Sequence, residues 1–207
     1  DAQRALQAVG RRCPCVVRVP ANDDVWIKKA LDIGAAGVLV PMVNTAAMAA
    51  QIVRACKYAP AGTRGMGLAR AHRYGTGFQD YVARANDCVA VIVQAEHIEA
   101  VEQIEAIVRV PGIDAVFVGP YDLSASMGHR GQPGHPEVQK VIQGGIATVR
   151  AAVKAAEANS SPEAQAAAYW NASIIERNSG HLDRAVAMGA QALAILEHTP
   201  DEALVEH

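Results

Sequence analysis

The first 155 or so residues alternate short apolar, largely β-branched runs with longer segments of helical periodicity. Four of the short runs predict strands, over 15–19, 37–42, 89–94 and 115–120. The intervening patterns predict helices over 2–9, from 23 or 24 to 33, 45–57, 78–86, one ending at 108, and 136–156. Such alternation is typical of βαβ units and therefore of an α/β protein with a parallel sheet.

The segment from 58 to 77 departs from this rhythm. Glycine and proline crowd it and no apolar period is visible, so it predicts a loop that is long for a compact domain. Its three arginines, Arg64, Arg70 and Arg73, are interpreted as solvated charges in preference to contacts for a distal substrate carboxylate.

The pattern changes again after residue 157. Asn159 to Pro162 reads as a linker or helix start, and two helices are predicted over 163–178 and 181–197, with Gly180 between them. We therefore predict two domains, a barrel segment over 1–157 and a helical tail over 158–207 that forms an αα-hairpin. The tail weakly resembles one tetratricopeptide-type hairpin, and a single such repeat needs neighbours to stack on.

Charge, hydropathy and cysteine content restrict the classes of protein to which this chain can belong. The net charge is −2 with no basic stripe, so nucleic acid is not an expected partner. No apolar run reaches the roughly 18 residues of a membrane span, and no signal pattern opens the chain, so a cytoplasmic protein is expected. The four cysteines are expected to be reduced thiols. Because the first residue is Asp1, the natural start is expected to lie upstream.

Polar residues that could do chemistry follow the predicted strands. In parallel sheets and barrels, active sites form at the carboxyl ends of the strands. The first strand supplies Arg18, the second Asn44, the third Gln94 and Glu96, and the loop after the fourth supplies Asp122. A cationic group and two carboxylates are therefore expected on one rim.

This set of strand-end residues contains two carboxylates and no histidine or thiolate, which suits a hard cation such as Mg²⁺ or Mn²⁺. Such a metal could polarise the carbonyl of a 2-oxo acid, and Arg18 could stabilise the enolate charge left by carbon–carbon cleavage. Backbone N–H groups from Gly119 to Asp122 could hold a substrate carboxylate.

Plainer interpretations of the same residues stay open. Glu96 could be a strand-end carboxylate paired to a nearby arginine. Asp122 could be the N-cap of a following helix. Arg18 could simply bridge one of these two acids.

Five stretches, in this order and spacing, resemble the HpcH/HpaI family of metal-dependent aldolases, which act on 4-hydroxy-2-oxo acids with pyruvate as one partner. They are Val16-Val17-Arg18, Gly37-Val38-Leu39-Val40-Pro41-Met42-Val43, Pro60-Ala61-Gly62-Thr63-Arg64-Gly65, Val93-Gln94-Ala95-Glu96, and Val116-Phe117-Val118-Gly119-Pro120-Tyr121-Asp122-Leu123-Ser124. The match covers residues 1 to about 155.

The resemblance implies a (β/α)8 barrel of the phosphoenolpyruvate/pyruvate-binding type, here a partial one, assembled in trimers or hexamers. It implies Glu96 and Asp122 as ligands of a divalent metal, Mg²⁺ or Mn²⁺, with Co²⁺ or Zn²⁺ as further options. It also implies Arg18 as the catalytic contact to the keto oxygen and enolate. The residues expected around the pyruvyl group are Arg18, Gln94, Phe117, Gly119, Pro120, Tyr121 and Asp122.

Two departures qualify the resemblance. The family has two further βα units before this stretch, the second carrying the histidine that serves as general base, and two further units after it. None of His72, His97, His129 and His135 matches the motif of that histidine.

Two functional hypotheses follow. The first is a class II aldolase, a metal-dependent lyase that cleaves a 4-hydroxy-2-oxo acid to pyruvate and an aldehyde. The second is a truncated or chimeric, non-catalytic scaffold that acts as a protein interaction module.

Overall fold

The computed structural model describes residues 2–10 and 13–157 and the single positions 186, 187 and 190. The chain divides into two compact units, Asp1–Ile142 and Gln143–His207. The strands are β1 (Val16–Arg18), β2 (Gly37–Val40), β3 (Ala90–Ala95) and β4 (Ala115–Val118). The helices are α1 (Ala2–Val9), α2 (Asp24–Asp32), α3 (Ala46–Cys56), α4 (Phe78–Cys88), α5 (Ile98–Glu102), α6 (Ile104–Val108), α7 (Pro120–Ser126) and α8 (Pro136–Glu157), with a 3₁₀ helix over Arg70–Gly75.

The four strands form one parallel sheet in the order β1-β2-β3-β4. The register pairs Arg18 with Leu39, Leu39 with Ile92, and Gln94 with Phe117. The predicted α/β class and all four predicted strands are therefore confirmed. Their carboxyl ends meet at one rim, as parallel pairing requires.

One face of the sheet packs against the helices. Its buried residues are Val and Ala, namely Val38, Val40, Val91, Val93, Ala95 and Val116, each no more than 6% exposed, whereas Val17 and Val118 on the same face are half-buried. The buried residues form the core together with the apolar faces of the helices, which contribute Ile27, Leu31, Ile52 and Ile107. Within the described residues, the opposite face is only half-covered at Leu39, Ile92 and Phe117. The apolar pattern of the strands therefore mainly reflects the face of the sheet that packs against the helices.

Local capping explains where the first helices begin. The Asp23 carboxylate accepts hydrogen bonds from the N–H groups of Val25 and Trp26, which starts α2. The Thr45 hydroxyl accepts one from Met48 and starts α3. Both are typical N-cap residues, and the sequence predicts both boundaries.

The predicted helix ending at 108 is instead two short helices, α5 and α6. Gln103 ends the first and precedes the second, with a backbone near φ −99°, ψ 8°. The apolar period runs through this break, because Ala100, Ile104 and Ile107 are all buried against the core. A periodic pattern therefore could not reveal the interruption.

The interpretation of Arg64 as a solvated charge is wrong. Its side chain is fully buried and pairs with Asp32 at 3.0 Å. Its guanidinium carbon lies 4.5 Å from the ring centre of Tyr58 and 5.6 Å from that of Tyr81. These four residues are Asp32, Tyr58, Arg64 and Tyr81. We call them the amino-end cluster, because α2 and α3 return the chain to the amino ends of the strands.

The remainder of the 58–77 segment is also more ordered than a plain loop. His72 is 2% exposed. Its Nδ1 accepts the N–H of Gly75 at 3.1 Å, and its Nε2 bonds the carbonyl of Gly67 at 2.8 Å. Arg70 donates to the carbonyl of Ile33 at 2.6 Å, at the end of α2. Arg73 alone of the three arginines is exposed as predicted.

The long helix α8 begins in the first unit and continues into the second. The predicted hairpin over 163–197 and the boundary at 157/158 depend on residues that lie outside the described ones, so both stay predictions. Among the described helices, none combines the length and hydropathy needed to cross a lipid bilayer.

Candidate functional site

The site is built around Glu96, which directly follows β3 at the carboxyl rim. It is a carboxylate with only 2% of its surface exposed. The backbone N–H of Met42 donates to its Oε1 at 2.9 Å, and the Gln94 amide donates to its Oε2. Both carboxylate oxygens therefore have a fixed partner, and the orientation of the group is set before any ligand arrives.

The turn after β2 supplies the first of these donors. Met42 has a positive φ of 55°, a left-handed conformation that is costly for a residue with a side chain. The next residue, Val43, donates its N–H to the carbonyl of Gln94 at 3.1 Å. The strained turn thus wraps the end of β3 and aims the Met42 N–H at Glu96.

Gly119 lies against Glu96 on the other side. A Cβ at this position would meet Glu96 Cβ at 2.7 Å, Glu96 Oε2 at 2.9 Å and Gln94 Nε2 at 3.1 Å. Its own N–H donates to the carbonyl of Ala95 at 3.0 Å, which extends the β3–β4 pairing to the rim. A glycine is required here because the backbone of the next element passes directly over the carboxylate.

Asp122 approaches Glu96 from the first turn of α7. Burial raises the pKa of Glu96 most, the Met42 N–H opposes this, and the charge and hydrogen bonding of Asp122 raise the pKa further. The charge of Arg18 lowers it. Asp122 and Arg18 therefore both act on the Glu96 carboxylate at the rim.

Asp122 is not the N-cap of α7. Gly119 occupies that position, without a side-chain cap, and Pro120 begins the helix. The alternative interpretation of Asp122 as a cap is therefore wrong. The Asp122 carboxylate therefore does not cap α7.

Arg18 ends β1 and is exposed. Its Nε donates to the Gln94 Oε1 at 3.4 Å and one terminal nitrogen donates to the Val19 carbonyl at 3.4 Å. It forms no ion pair among the described residues within 4.0 Å. The Gln94 amide therefore contacts the Arg18 guanidinium through its oxygen and the Glu96 carboxylate through its nitrogen.

The remaining predicted site residues are placed less centrally. Phe117 pairs with Gln94 in the register, so both side chains leave the same face of the sheet. Tyr121 is 67% exposed. Asn44 donates to the Glu99 carboxylate at 3.5 Å.

Two contributors escaped sequence reasoning. Met42 acts through its backbone N–H, and nothing in a methionine side chain signals a left-handed turn. The close approach of Gly119 was expected only as part of a substrate-binding backbone. The signal for its role was the Gly-Pro pair directly after a strand.

The donor set fits a hard divalent cation. Glu96 and Asp122 are like-charged carboxylates held close together, and their proximity disfavours ionisation of Glu96. A cation between them would remove that repulsion, and oxygen ligands match Mg²⁺ and Mn²⁺. The nearby guanidinium of Arg18 adds a positive charge suited to an anionic substrate.

A parallel α/β sheet with two carboxylates and an arginine at its carboxyl rim has the site location shared by barrel and doubly wound α/β proteins. The family model described as HpcH/HpaI aldolase/citrate lyase matches residues 1–179. The chain belongs to this family, as its motifs predict.

Two proteins similar to this chain are named as aldolases. A 4-hydroxy-2-oxovalerate aldolase of Rhodococcus jostii (strain RHA1) is 51% identical over 152 residues, which cover 72% of this chain and 58% of that protein. A hydroxypyruvate/pyruvate aldolase of Pseudomonas aeruginosa is 48% identical over 156 residues, covering 74% and 58% of the two chains. The chain thus spans less than two thirds of the length of these relatives.

Solved structures agree on the fold. An HpcH/HpaI aldolase/citrate lyase family protein from Burkholderia cenocepacia J2315 superposes with a TM-score of 0.69 and 32% identity, covering 94% of this chain and 77% of that one. Macrophomate synthase gives a TM-score of 0.61 at 29% identity, covering 71% and 53%. The predicted TIM-barrel-like fold class is therefore confirmed.

Proposed function

We propose that this chain carries the metal- and pyruvate-binding part of a class II aldolase, a carbon–carbon lyase that reversibly cleaves a 4-hydroxy-2-oxo acid to pyruvate and an aldehyde. The observation that carries the proposal is the buried Glu96 carboxylate at the rim, which Met42 and Gln94 orient and on whose charge Asp122 and Arg18 act. Family membership and the aldolases among its relatives support the same chemistry.

Glu96 and Asp122 would hold the cation, Mg²⁺ or Mn²⁺ by preference, with Co²⁺ or Zn²⁺ as alternatives. When bound, the metal supplies a Lewis acid that polarises the carbonyl of the 2-oxo acid. Glu96 suits this role because Met42 and Gln94 already fix both of its oxygens.

Arg18 would stabilise the negative charge that develops on the pyruvyl oxygen as the carbon–carbon bond breaks. Its hydrogen bond to Gln94 orients the guanidinium without neutralising it, because the Gln94 amide carries no charge. The exposure of Arg18 leaves its remaining N–H groups available to a substrate.

The pyruvyl group would lie against Phe117 and the start of α7, with the residues Gly119, Pro120, Tyr121 and Asp122 around it. The strand register supports this location, since it pairs Phe117 with Gln94. We further propose that the active form is a cytoplasmic homo-oligomer, a trimer or hexamer, which light scattering of the purified protein would test.

Calorimetric titration with Mn²⁺, with and without pyruvate, tests the proposal directly. The metal should bind, and pyruvate should tighten its binding. Exchange of the pyruvate methyl protons with solvent, followed by NMR, should depend on the metal, because enolate formation is the step shared with aldol cleavage.

A matched pair of variants sharpens this test. Glu96→Gln should weaken Mn²⁺ binding at least ~100-fold, since loss of a ligand exceeds the 10–100-fold typical of its supporting residues. Glu105→Gln makes the same substitution on the exposed surface of α6 and should leave Mn²⁺ affinity unchanged. Folded protein that binds no Mn²⁺ would instead favour the non-catalytic scaffold.

A further inference from the structure

A second group of potential metal ligands lies between α7 and α8, apart from the residues of the rim site. His129 and His135 stack with ring centres 3.6 Å apart and planes inclined by 16°. His129 Nε2 is 2.9 Å from Glu137 Oε2. One ligand atom from each of the three residues lies within 4.8 Å of the other two.

The backbone holds these side chains in place. The His129 N–H donates to the Ser124 carbonyl at 2.8 Å, in the last turn of α7. Gln132 then donates to His129 at 2.9 Å, and His135 to Gln132 at 3.0 Å. These bonds form consecutive turns that bring the two imidazoles together, although they are six residues apart.

The start of α8 fixes the other two members. The carbonyl of His135 accepts the N–H of Gln139 at 2.9 Å, and its ring Nδ1 lies 3.3 Å from the N–H of Glu137. His135 therefore occupies the N-cap position of α8, and Glu137 sits in the first helical turn. This accounts for His135 but gives no reason for a second, stacked histidine.

We propose that His129, His135 and Glu137 form a site for a divalent transition-metal ion, Zn²⁺ by preference. Two imidazole nitrogens and one carboxylate, with a fourth position left for water, are a common zinc ligand set. Imidazole donors also favour Zn²⁺ over Mg²⁺, which prefers oxygen ligands. This site does not depend on the proposed aldolase function.

One ligand pair is already spaced as zinc requires, and all three ligand atoms lie within 4.8 Å of one another. Metal–ligand bonds of roughly 2.0–2.2 Å separate tetrahedral ligands by about 3.3 Å. The 2.9 Å contact between His129 and Glu137 is already near this value. The Glu137 side chain is 72% exposed, so it can rotate to complete the set, while His129 is 23% exposed and stays in position.

Binding would connect the segment that follows α7 to the first turn of α8. Because Asp122 lies on α7, the ion would reinforce the region that supports the rim site without touching it. A ligand that binds the folded state alone stabilises it in proportion to the logarithm of its concentration above the dissociation constant. Zinc should therefore raise the melting temperature.

The test uses the full chain with other zinc-binding groups removed. Asp122→Asn disables the rim site, and Cys13→Ser, Cys15→Ser and Cys88→Ser remove the three thiols that are exposed or half-buried. Zn²⁺ is titrated by calorimetry, and Co²⁺ is used as a spectroscopic probe of nitrogen and oxygen ligation. One equivalent of Zn²⁺ should bind, and Mg²⁺ should not displace it.

Three substitutions are then added separately to this background. His129→Gln, His135→Asn and Glu137→Gln should each weaken zinc binding at least tenfold and abolish the rise in melting temperature. Asn at 135 retains helix-capping ability, so its effect reports the imidazole and not a lost cap.

Glu105→Gln serves as the matched control and should change nothing. Zinc affinity that survives all three ligand substitutions would overturn the proposal. So would the absence of a bound equivalent in the folded background protein, which circular dichroism verifies.

Discussion

The two ends of the sheet use charged residues in opposite ways. In the amino-end cluster, Arg64 is buried, paired with Asp32 and enclosed by Tyr58 and Tyr81. At the carboxyl rim, Arg18 is exposed and lies beside two carboxylates without a described ion pair. One arginine is satisfied by the fold, whereas the other is left available to a ligand.

The carboxylates differ in the same way. Asp32 has Lys28 and Arg64 as partners, so its charge is compensated within the protein. Glu96 is buried beside another carboxylate, and its pKa is raised as a result. An uncompensated group of this kind marks a functional site better than the presence of charge does.

The comparison predicts its largest effect on stability at the amino end. Arg64→Ala should lower the free energy of unfolding by about 2–4 kcal/mol, because it removes a buried ion pair and leaves a cavity between two tyrosines. Two guanidinium nitrogens of Arg64 lack a protein partner, which keeps the expected loss below the top of that range. Urea denaturation measures the change.

Arg109→Ala is the matched control for this prediction. Arg109 pairs with Glu105 at 2.5 Å, but the two side chains are 72% and 61% exposed. Exposed pairs contribute little, so the loss should stay below about 0.5 kcal/mol. Equal losses for the two arginines would show that burial of Arg64 does not matter.

At the rim, the largest structural effect is expected from Gly119→Ala. The added methyl would lie 2.7 Å from Glu96 Cβ, so the carboxylate or the start of α7 must shift. We expect a destabilisation of about 1–3 kcal/mol, together with weaker Mn²⁺ binding. Urea denaturation and calorimetry on the same protein measure both.

Gly144→Ala provides the contrast. Gly144 lies inside α8, and among the described residues no atom lies within 4 Å of a Cβ placed there. Alanine should stabilise this helix by about 0.5–1 kcal/mol, since it restricts the unfolded chain and favours helix. A Gly119→Ala protein that binds Mn²⁺ like the parent would contradict the packing argument for the rim.

The sequence predicted the sheet and the charged members of the rim site well. Parallel strands place their carboxyl ends together, so Arg18, Glu96 and Asp122 could be assigned to one edge from strand order alone. The caps at Asp23 and Thr45 were equally predictable, because they depend on neighbouring residues.

What the sequence did not reveal depends on tertiary contacts. Arg64 lies in a glycine-rich segment that looks solvated, and one of its two tyrosine neighbours, Tyr81, comes from α4. The Met42 N–H acts through a strained backbone that no side-chain pattern encodes. The stacking of His129 on His135 arises from consecutive turns in a polar loop.

The raised pKa of Glu96 predicts a distinctive pH dependence of metal binding. Protons compete with the metal for this carboxylate, so Mn²⁺ affinity should fall as pH drops through a pKa above the ordinary 4.5. The fall should reach about tenfold, or 1.4 kcal/mol, for each pH unit below that pKa. Calorimetry across pH measures it, and a midpoint at or below 4.5 would contradict the prediction.

The raised pKa of Glu96 also determines the direction in which the free energy of unfolding changes with pH. The folded, metal-free protein holds the Glu96 proton more tightly than the unfolded chain does. Its contribution to stability is therefore greatest below the unfolded pKa and is lost as pH rises through the folded pKa. Asp122→Asn removes one cause of the shift and should move the folded pKa back toward 4.5.

The smallest effect on stability is expected at the exposed arginine of the rim. Arg18→Met should change the free energy of unfolding by less than about 0.5 kcal/mol, since Arg18 forms only two long hydrogen bonds, each of 3.4 Å. It should nevertheless reduce the tightening of Mn²⁺ binding by pyruvate, because the guanidinium that would contact the substrate oxygen beside the metal is lost. Urea denaturation and calorimetry separate the two quantities. A large loss of stability with unchanged pyruvate dependence would give Arg18 the same structural role as Arg64 and remove the contrast between the two ends of the sheet.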